Sequence, residues 1–143
     1  GMQVDWQLIH GLAKTQAIDL WLLFPLGMAV NRLLTKNMHP PNEWAQILTS
    51  IFGTTEWEKA FYSTEVVPTF FGDEEKVVKN ADFKKIEKYF IERLGTIFKE
   101  VAKNPLALRN SKNVPIFLLC FAAGNPKGAK LAIKIAQDIL KEK

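Results

Sequence analysis

The sequence predicts an α/β fold, predominantly helical, with a small sheet of two or three strands, and three observations lead there. Two short apolar runs, residues 18–24 and 115–122, are bounded by Pro and Gly and read as buried strands. Around them, apolar residues recur at three- and four-residue steps, the spacing of helices with one buried face. The 143 residues, 48% of them hydrophobic, are enough for one domain spanning 1–143 with a real core.

Asp5 is placed to cap the first helix, with Val4 stapled against Ile9 and a stripe of Trp6, Ile9, Leu12 and Ala13; an end near Thr15 is expected. The run 18–24 is apolar almost without alternation until Pro25 and Gly27 stop it. Central parallel strands covered on both faces have this pattern, so a strand with neighbours on both flanks is expected. A helix over 27–35 follows and His39-Pro40-Pro41 closes it; Asn42 then caps a helix that buries Trp44, Ile47, Leu48 and Ile51 and ends at Gly53.

Thr55-Glu56-Trp57-Glu58 reads as a capping box for a short helix carrying Trp57, Phe61 and Tyr62, and 63–78 is less regular. Residues 82–103 show the strongest helical periodicity, through Phe83, Ile86, Phe90, Leu94, Ile97 and Val101, up to the break at Asn104-Pro105. The polar segment 109–113 leads into the second strand. Asn125 as N-cap and Pro126 at the first helical position then start a C-terminal helix that turns Leu131, Ile135, Ile139 and Leu140 inward and carries lysines at its end. There is no internal repeat, low-complexity tract or linker.

Lys and Arg number 19 against 15 Asp and Glu, a mild positive excess far below that of a dedicated nucleic-acid binder. The single cysteine, Cys120, lies in an apolar run; it has no internal disulfide partner and reads as a buried thiol in a reducing, cytoplasmic setting. No secretory signal is visible. The longest apolar stretch, 17–30, is interrupted by Asp19, Pro25 and Gly27 and is too short to span a bilayer, so no membrane partner is expected.

Chemistry is sparse. The segment Gly124-Asn125-Pro126-Lys127-Gly128-Ala129-Lys130 joins a strand to a helix, and a helix start offers free N–H groups and positive potential to an anion. Gly124, Asn125, Lys127, Gly128 and Lys130 are therefore an anion-binding candidate, although the glycine spacing is too short for a Walker A loop and an ordinary helix start explains the same residues. Asp19, inside an apolar run, is a candidate functional carboxylate; its plainer reading is a strand-edge group bonded to backbone. His10 and His39 have no metal-ligand companions at suitable spacing, and no metal site is assigned.

Lys84, Lys85, Lys88, Arg93 and Lys99 alternate with Glu87, Glu92 and Glu100, which suits a solvated helix face. Trp6, Trp21, Trp44 and Trp57 fall on apolar faces and read as core. No Ser-His-Asp or Cys-His set can be assembled, so no catalytic residue is assigned.

The runs Ala17-Ile18-Asp19-Leu20-Trp21-Leu22-Leu23-Phe24-Pro25-Leu26-Gly27, Asn31-Arg32-Leu33-Leu34-Thr35 and Phe121-Ala122-Ala123-Gly124-Asn125-Pro126-Lys127-Gly128-Ala129 resemble the C-terminal half of the three-Cys-motif partner proteins. Phe52-Gly53-Thr54 with Trp57 and Phe61-Tyr62 fits the same pattern, so the resemblance covers nearly the whole chain. It implies a class I S-adenosylmethionine methyltransferase-like, Rossmann-like domain whose N-terminal half holds the glycine-rich cofactor loop and an acidic ribose-binding residue. This chain has neither, so no cofactor is expected on it alone. The family pattern places an Asp-Pro-aromatic-Gly segment just before Val4-Asp5-Trp6; Gly1 reads as its last residue or as a tag remnant before Met2.

On this resemblance, strand 18–24 belongs in the middle of a sheet and lacks a neighbour. A homo-oligomer or a separate N-terminal partner half is therefore expected to cover its edge. The alternative expectation is a stand-alone module that binds an anionic partner, nucleic acid included, through 124–130. An independent enzyme using Asp19 or a histidine ranks last, because no partner residues stand at interpretable spacing.

Overall fold

A computed structural model describes residues 5–36 and 38–141; the Val4 staple and the Gly1 junction lie outside them. The chain is mixed α/β, in the order α1 (Trp6–Lys14), β1 (Asp19–Phe24), a π-helical turn (Leu26–Asn31), α2 (Asn42–Phe52), α3 (Trp57–Phe61), β2 (Tyr62–Thr69), β3 (Gly72–Lys79), α4 (Phe83–Leu94), β4 (Glu100–Val101), β5 (Leu106–Arg109), β6 (Pro115–Ala123) and α5 (Ala129–Ile139). The sheet content exceeds the two or three strands expected: a four-stranded sheet and a separate β2–β3 hairpin.

In the main sheet β6 is the hub. β1 pairs along one of its edges, with Asp19 opposite Ala123 and Phe24 opposite Leu118. β4 and β5 share the other edge, at Ala122–Ala123 and at 115–119. Every pairing is antiparallel, which corrects the parallel arrangement inferred from the apolar runs. Continuous apolarity reports that both faces of a strand are covered and says nothing of its direction. In β6, Leu118, Cys120 and Ala122 enter one core, while Phe121 and Ala123 enter a second core under α5.

β1 is likewise not central. It is a rim strand, paired on one flank only among the described residues. Leu20, Leu22 and Phe24 pack toward the larger core, but only Phe24 is fully buried, and Trp21 on the opposite face remains 44% exposed while resting on Phe121 at 4.7 Å.

The larger core is aromatic. Phe90 stacks on Phe24 with centroids 4.0 Å apart and also meets Trp6 and Phe52. α1 forms as expected, with the Asp5 carboxylate accepting from the Gln7 N–H at 2.9 Å. The expected 27–35 helix forms largely as the π-turn, with Val30 N–H bonded to the Pro25 carbonyl. Asn42 is not the cap of α2 but its first residue, after Pro41. Of the face expected on α2, Leu48 and Ile51 are buried, whereas Trp44 and Ile47 are exposed. The capping box at 55–58 does not close: Thr54 Oγ1 accepts from Glu56 N–H, and α3 begins at Trp57 with no side-chain cap.

The long periodic stretch 82–103 is split. Asp82 caps α4 through the Lys85 N–H at 2.8 Å, and the helix ends at Leu94; the chain then turns through Thr96 into β4. Ile97 and Val101 still pack against the core from this turn and strand, so the apolar spacing outlives the helix. On α4 the charges pair as Lys84–Glu87 and Lys88–Glu92, but the expected solvated face is only partly formed: Arg93 turns onto Trp6 and the Phe52 carbonyl, and Lys99 and Glu100 lie beyond the end of the helix.

α5 also differs from expectation. Ala129, Ala136 and Leu140 are buried against β6, while Leu131, Ile135 and Ile139 are 65%, 53% and 60% exposed. Small alanines let the helix approach the sheet closely; the larger side chains occupy a different flank, which periodicity alone cannot rank. Among the described residues no helix is long and apolar enough to cross a membrane.

Candidate interaction surface

The residues singled out for chemistry lie at the junction of β1, β6 and α5. The Gly124 N–H donates to the Ile18 carbonyl at 3.1 Å and to Asp19 Oδ1 at 3.3 Å. Asp19 is thus bonded to backbone at the end of the rim strand. A Cβ on Gly124 would sit 2.5 Å from the Ile18 carbonyl oxygen, so this position demands glycine by close approach. Gly124→Ala is expected to cost about 2 kcal/mol by forcing β1 away from β6, read as a lowered urea midpoint.

The same contacts change the anion-binding candidate. The Gly124 amide is committed inward, and Asn125 Oδ1 accepts from the Lys127 N–H at 3.0 Å in a turn that precedes the helix. α5 starts at Ala129 behind Gly128, which corrects the N-cap assignment to Asn125 and removes Pro126 from the first helical position. Lys127, Gly128 and Lys130 are exposed. The segment therefore presents two lysines beside a helix start, not a ring of convergent amides.

His10 lies at the wall of an open cleft of about 730 Å³ between α1, α2 and α4, with Gln46, Ser50 and Arg93. The Arg93 guanidinium lies 4.5 Å over the Trp6 ring and its Nε donates to the Phe52 carbonyl at 2.7 Å, so it closes the end of α2. His39 lies elsewhere, 5.2 Å from the Tyr62 ring. Among the described residues no group of three or more His, Cys, Asp or Glu is placed to hold a metal ion. Cys120 is fully buried, and burial, with a smaller contribution from the Glu87 carboxylate, pushes its thiol up to about 12. That is the opposite of what a nucleophile requires.

What the structure does assemble is an uncovered apolar face. β1 reads Leu20-Trp21-Leu22-Leu23-Phe24 without a charge, and none of the usual protections of an edge, such as a lysine, a bulge or an internal proline, interrupts those five residues. Gln137 of α5 bonds to Lys103 and Asn104, next to β4, and marks one flank of the helix. Leu131, Ile135 and Ile139 lie on the flank turned away from Gln137 and are exposed. Trp21 rests on Phe121, a residue of the core under α5, and so shares the α5 face of the sheet. Exposed apolar groups clustered in this way mark association surfaces. Sequence reasoning reached the β1 edge but missed the stripe.

A second exposed feature was also missed. The hairpin β2–β3, in the segment read as irregular, is exposed on both faces beyond its base. Its base is tied down by Tyr62 Oη donating to the Thr35 carbonyl at 2.8 Å and by Lys79 Nζ donating to Asn31 Oδ1 at 2.7 Å. The signal was present: Val66, Val67 and Thr69 before Phe70-Phe71, then Gly72 at φ 113° and Val77-Val78.

Comparison with protein-family models, with curated proteins and with solved structures finds no match.

Proposed function

We propose that this chain is a methyltransferase-like C-terminal domain that does not hold S-adenosylmethionine alone and works through another polypeptide docked along β1. The carrying observation is the rim itself: five consecutive uncharged apolar residues, one backbone flank unpaired among the described residues, and Trp21 exposed on the α5 face of the sheet. An added strand would satisfy the free N–H and C=O groups of β1, and its side chains would cover Trp21. The sequence resemblance to three-Cys-motif partner proteins supports the same reading, since their N-terminal half would occupy this position.

The test has two measurements. Titration calorimetry of the chain with S-adenosylmethionine is expected to show no binding. Light scattering at about 50 µM, within the range where exposed edges associate, is expected to show a species larger than the monomer, which Trp21→Asp reduces to a folded monomer at a modest cost in melting temperature from the lost contact with Phe121. A chain that binds the cofactor unaided, or an assembly indifferent to Trp21→Asp, would refute the proposal.

A further inference from the structure

The cleft between α1, α2 and α4 holds hydrogen-bond donors that the fold leaves unused. Arg93 enters it half-buried from α4. A guanidinium carries five N–H groups in a planar fork. The one on Nε goes to the Phe52 carbonyl at 2.7 Å, and the guanidinium carbon lies 4.5 Å from the Trp6 ring centroid. Those on the terminal nitrogens have no acceptor among the described residues, where Arg93 also makes no ion pair. Glu92, its neighbour in the chain, pairs with Lys88 instead. A cation partly withdrawn from water without a counter-ion is unfavourable, and a bound anion relieves that cost.

The orientation of Arg93 is fixed. Gly53 ends α2 at φ 72°, and a Cβ there would lie 2.0 Å from Trp6 Cδ1, so only glycine lets the indole lie against the helix end. The indole and the Phe52 carbonyl then hold the guanidinium from two directions. A second donor in the lining is anchored as well: Thr49 Oγ1 accepts from the Trp57 Nε1–H at 3.0 Å, and its own proton has no acceptor among the described residues. Ser50 and Thr96 differ, because their hydroxyls donate to the Ile47 and Arg93 carbonyls. Asp5 is the one carboxylate in the lining, and its Oδ1 accepts from the Gln7 N–H.

We infer that this cleft binds a small organic carboxylate, taken edge-on by the terminal nitrogens of Arg93 with the Thr49 hydroxyl as a further donor. A planar carboxylate matches the guanidinium fork with two parallel N–H···O bonds. One cation facing one wall carboxylate favours a monoanion over a doubly charged phosphate, which Asp5 would repel more strongly. Half-buried Ile97 offers an apolar wall to the carbon body, and a volume of about 730 Å³ suits a small ligand. The site shares no residue with the β1 rim and stands whatever docks there.

The experiment titrates the full chain with sodium benzoate, and in parallel with inorganic phosphate and sodium chloride at constant ionic strength, while NMR follows the Trp6 indole N–H and the Gly53 amide. Benzoate is expected to shift both signals saturably, phosphate more weakly, and chloride not at all. Arg93→Lys keeps the charge but loses the fork, and is expected to weaken benzoate binding about tenfold, the equivalent of one charge-assisted hydrogen bond. Because Arg93 also supports the fold, a second pair of variants uses Gln46, an exposed residue of the wall. Gln46→Glu is expected to weaken binding and Gln46→Lys to strengthen it, each about threefold, with the melting temperature unchanged. Shifts that do not saturate, or that chloride reproduces, overturn the site. Phosphate binding as tightly as benzoate overturns the carboxylate assignment. Affinity that the two Gln46 variants move in the same direction, or leave unmoved, overturns its placement in this cleft.

Discussion

Phe90→Ala is expected to destabilise the fold by about 3–5 kcal/mol, the range for removing a fully buried aromatic ring. Phe90 stands where three elements meet: it stacks on Phe24 of β1 and reaches Trp6 of α1 and Phe52 of α2. These partners are themselves locked, Trp6 beneath Arg93 and Phe52 against Phe61 and Tyr89, so the site has little freedom to collapse around the missing ring. Because a domain of this size has a total stability of only about 5–15 kcal/mol, urea denaturation should show a much lower midpoint with an unchanged slope. Phe90→Leu, which retains most of the volume, should recover more than half of the loss. A variant within about 1 kcal/mol of the parent would mean that the aromatic cluster is not the centre of the fold.

The second large effect is alkaline. Cys120 is held protonated by burial, its thiol raised from 9.0 to about 12. Below pH 9 both folded and unfolded chains keep the proton, and the thiol adds no pH dependence. Above pH 9 the unfolded chain ionises while the folded one does not, so stability falls until the folded group also titrates near pH 12. The loss across that window is about 4 kcal/mol. Tyr62 and Tyr89, both raised chiefly by burial, act in the same direction above pH 10, whereas Lys79, lowered by burial and then by Lys36, acts in the opposite one. The contribution of the thiol is therefore isolated by comparison with Cys120→Ala. Plots of unfolding free energy against pH should be parallel for the two proteins up to pH 9 and diverge above it, with the alanine variant falling less steeply. Parallel curves to pH 11 would show that water reaches Cys120.

The proposed assembly has a structural consequence at the rim. A strand added to β1 would pair its free backbone groups, so the amides of 19–24 are expected to exchange more slowly with solvent in the assembled protein than in the Trp21→Asp variant.

Much of the fold was legible in the sequence because local physics dictates it. Asp5 and Asp82 could be read as helix starts, although only Asp5 was named as a cap, because a short acceptor side chain ahead of an amphipathic run satisfies free amides. The strands at 19–24 and 115–123 could be read from apolar runs closed by Pro and Gly. The failures share one cause. Residues 95–103 kept helical spacing because Ile97 and Val101 must face the core in any conformation. The hairpin had neither a buried stripe nor a clean alternation, since its outer part buries nothing. Leu131, Ile135 and Ile139 were assigned inward because hydrophobicity is visible in a sequence, whereas the close approach allowed by Ala129 and Ala136 is not.

By itself, the sequence determined the α/β character, the two apolar strands and the buried thiol at Cys120, since each follows from residue chemistry within a few positions. Only the tertiary structure decided that the strands run antiparallel, that β6 and not β1 is the hub, and that Asp19 and the Gly124 amide satisfy each other. It also decided which apolar residues stay in water. Direction, flank and exposure depend on partners distant in sequence, and Asp19 and Gly124 meet across 105 residues.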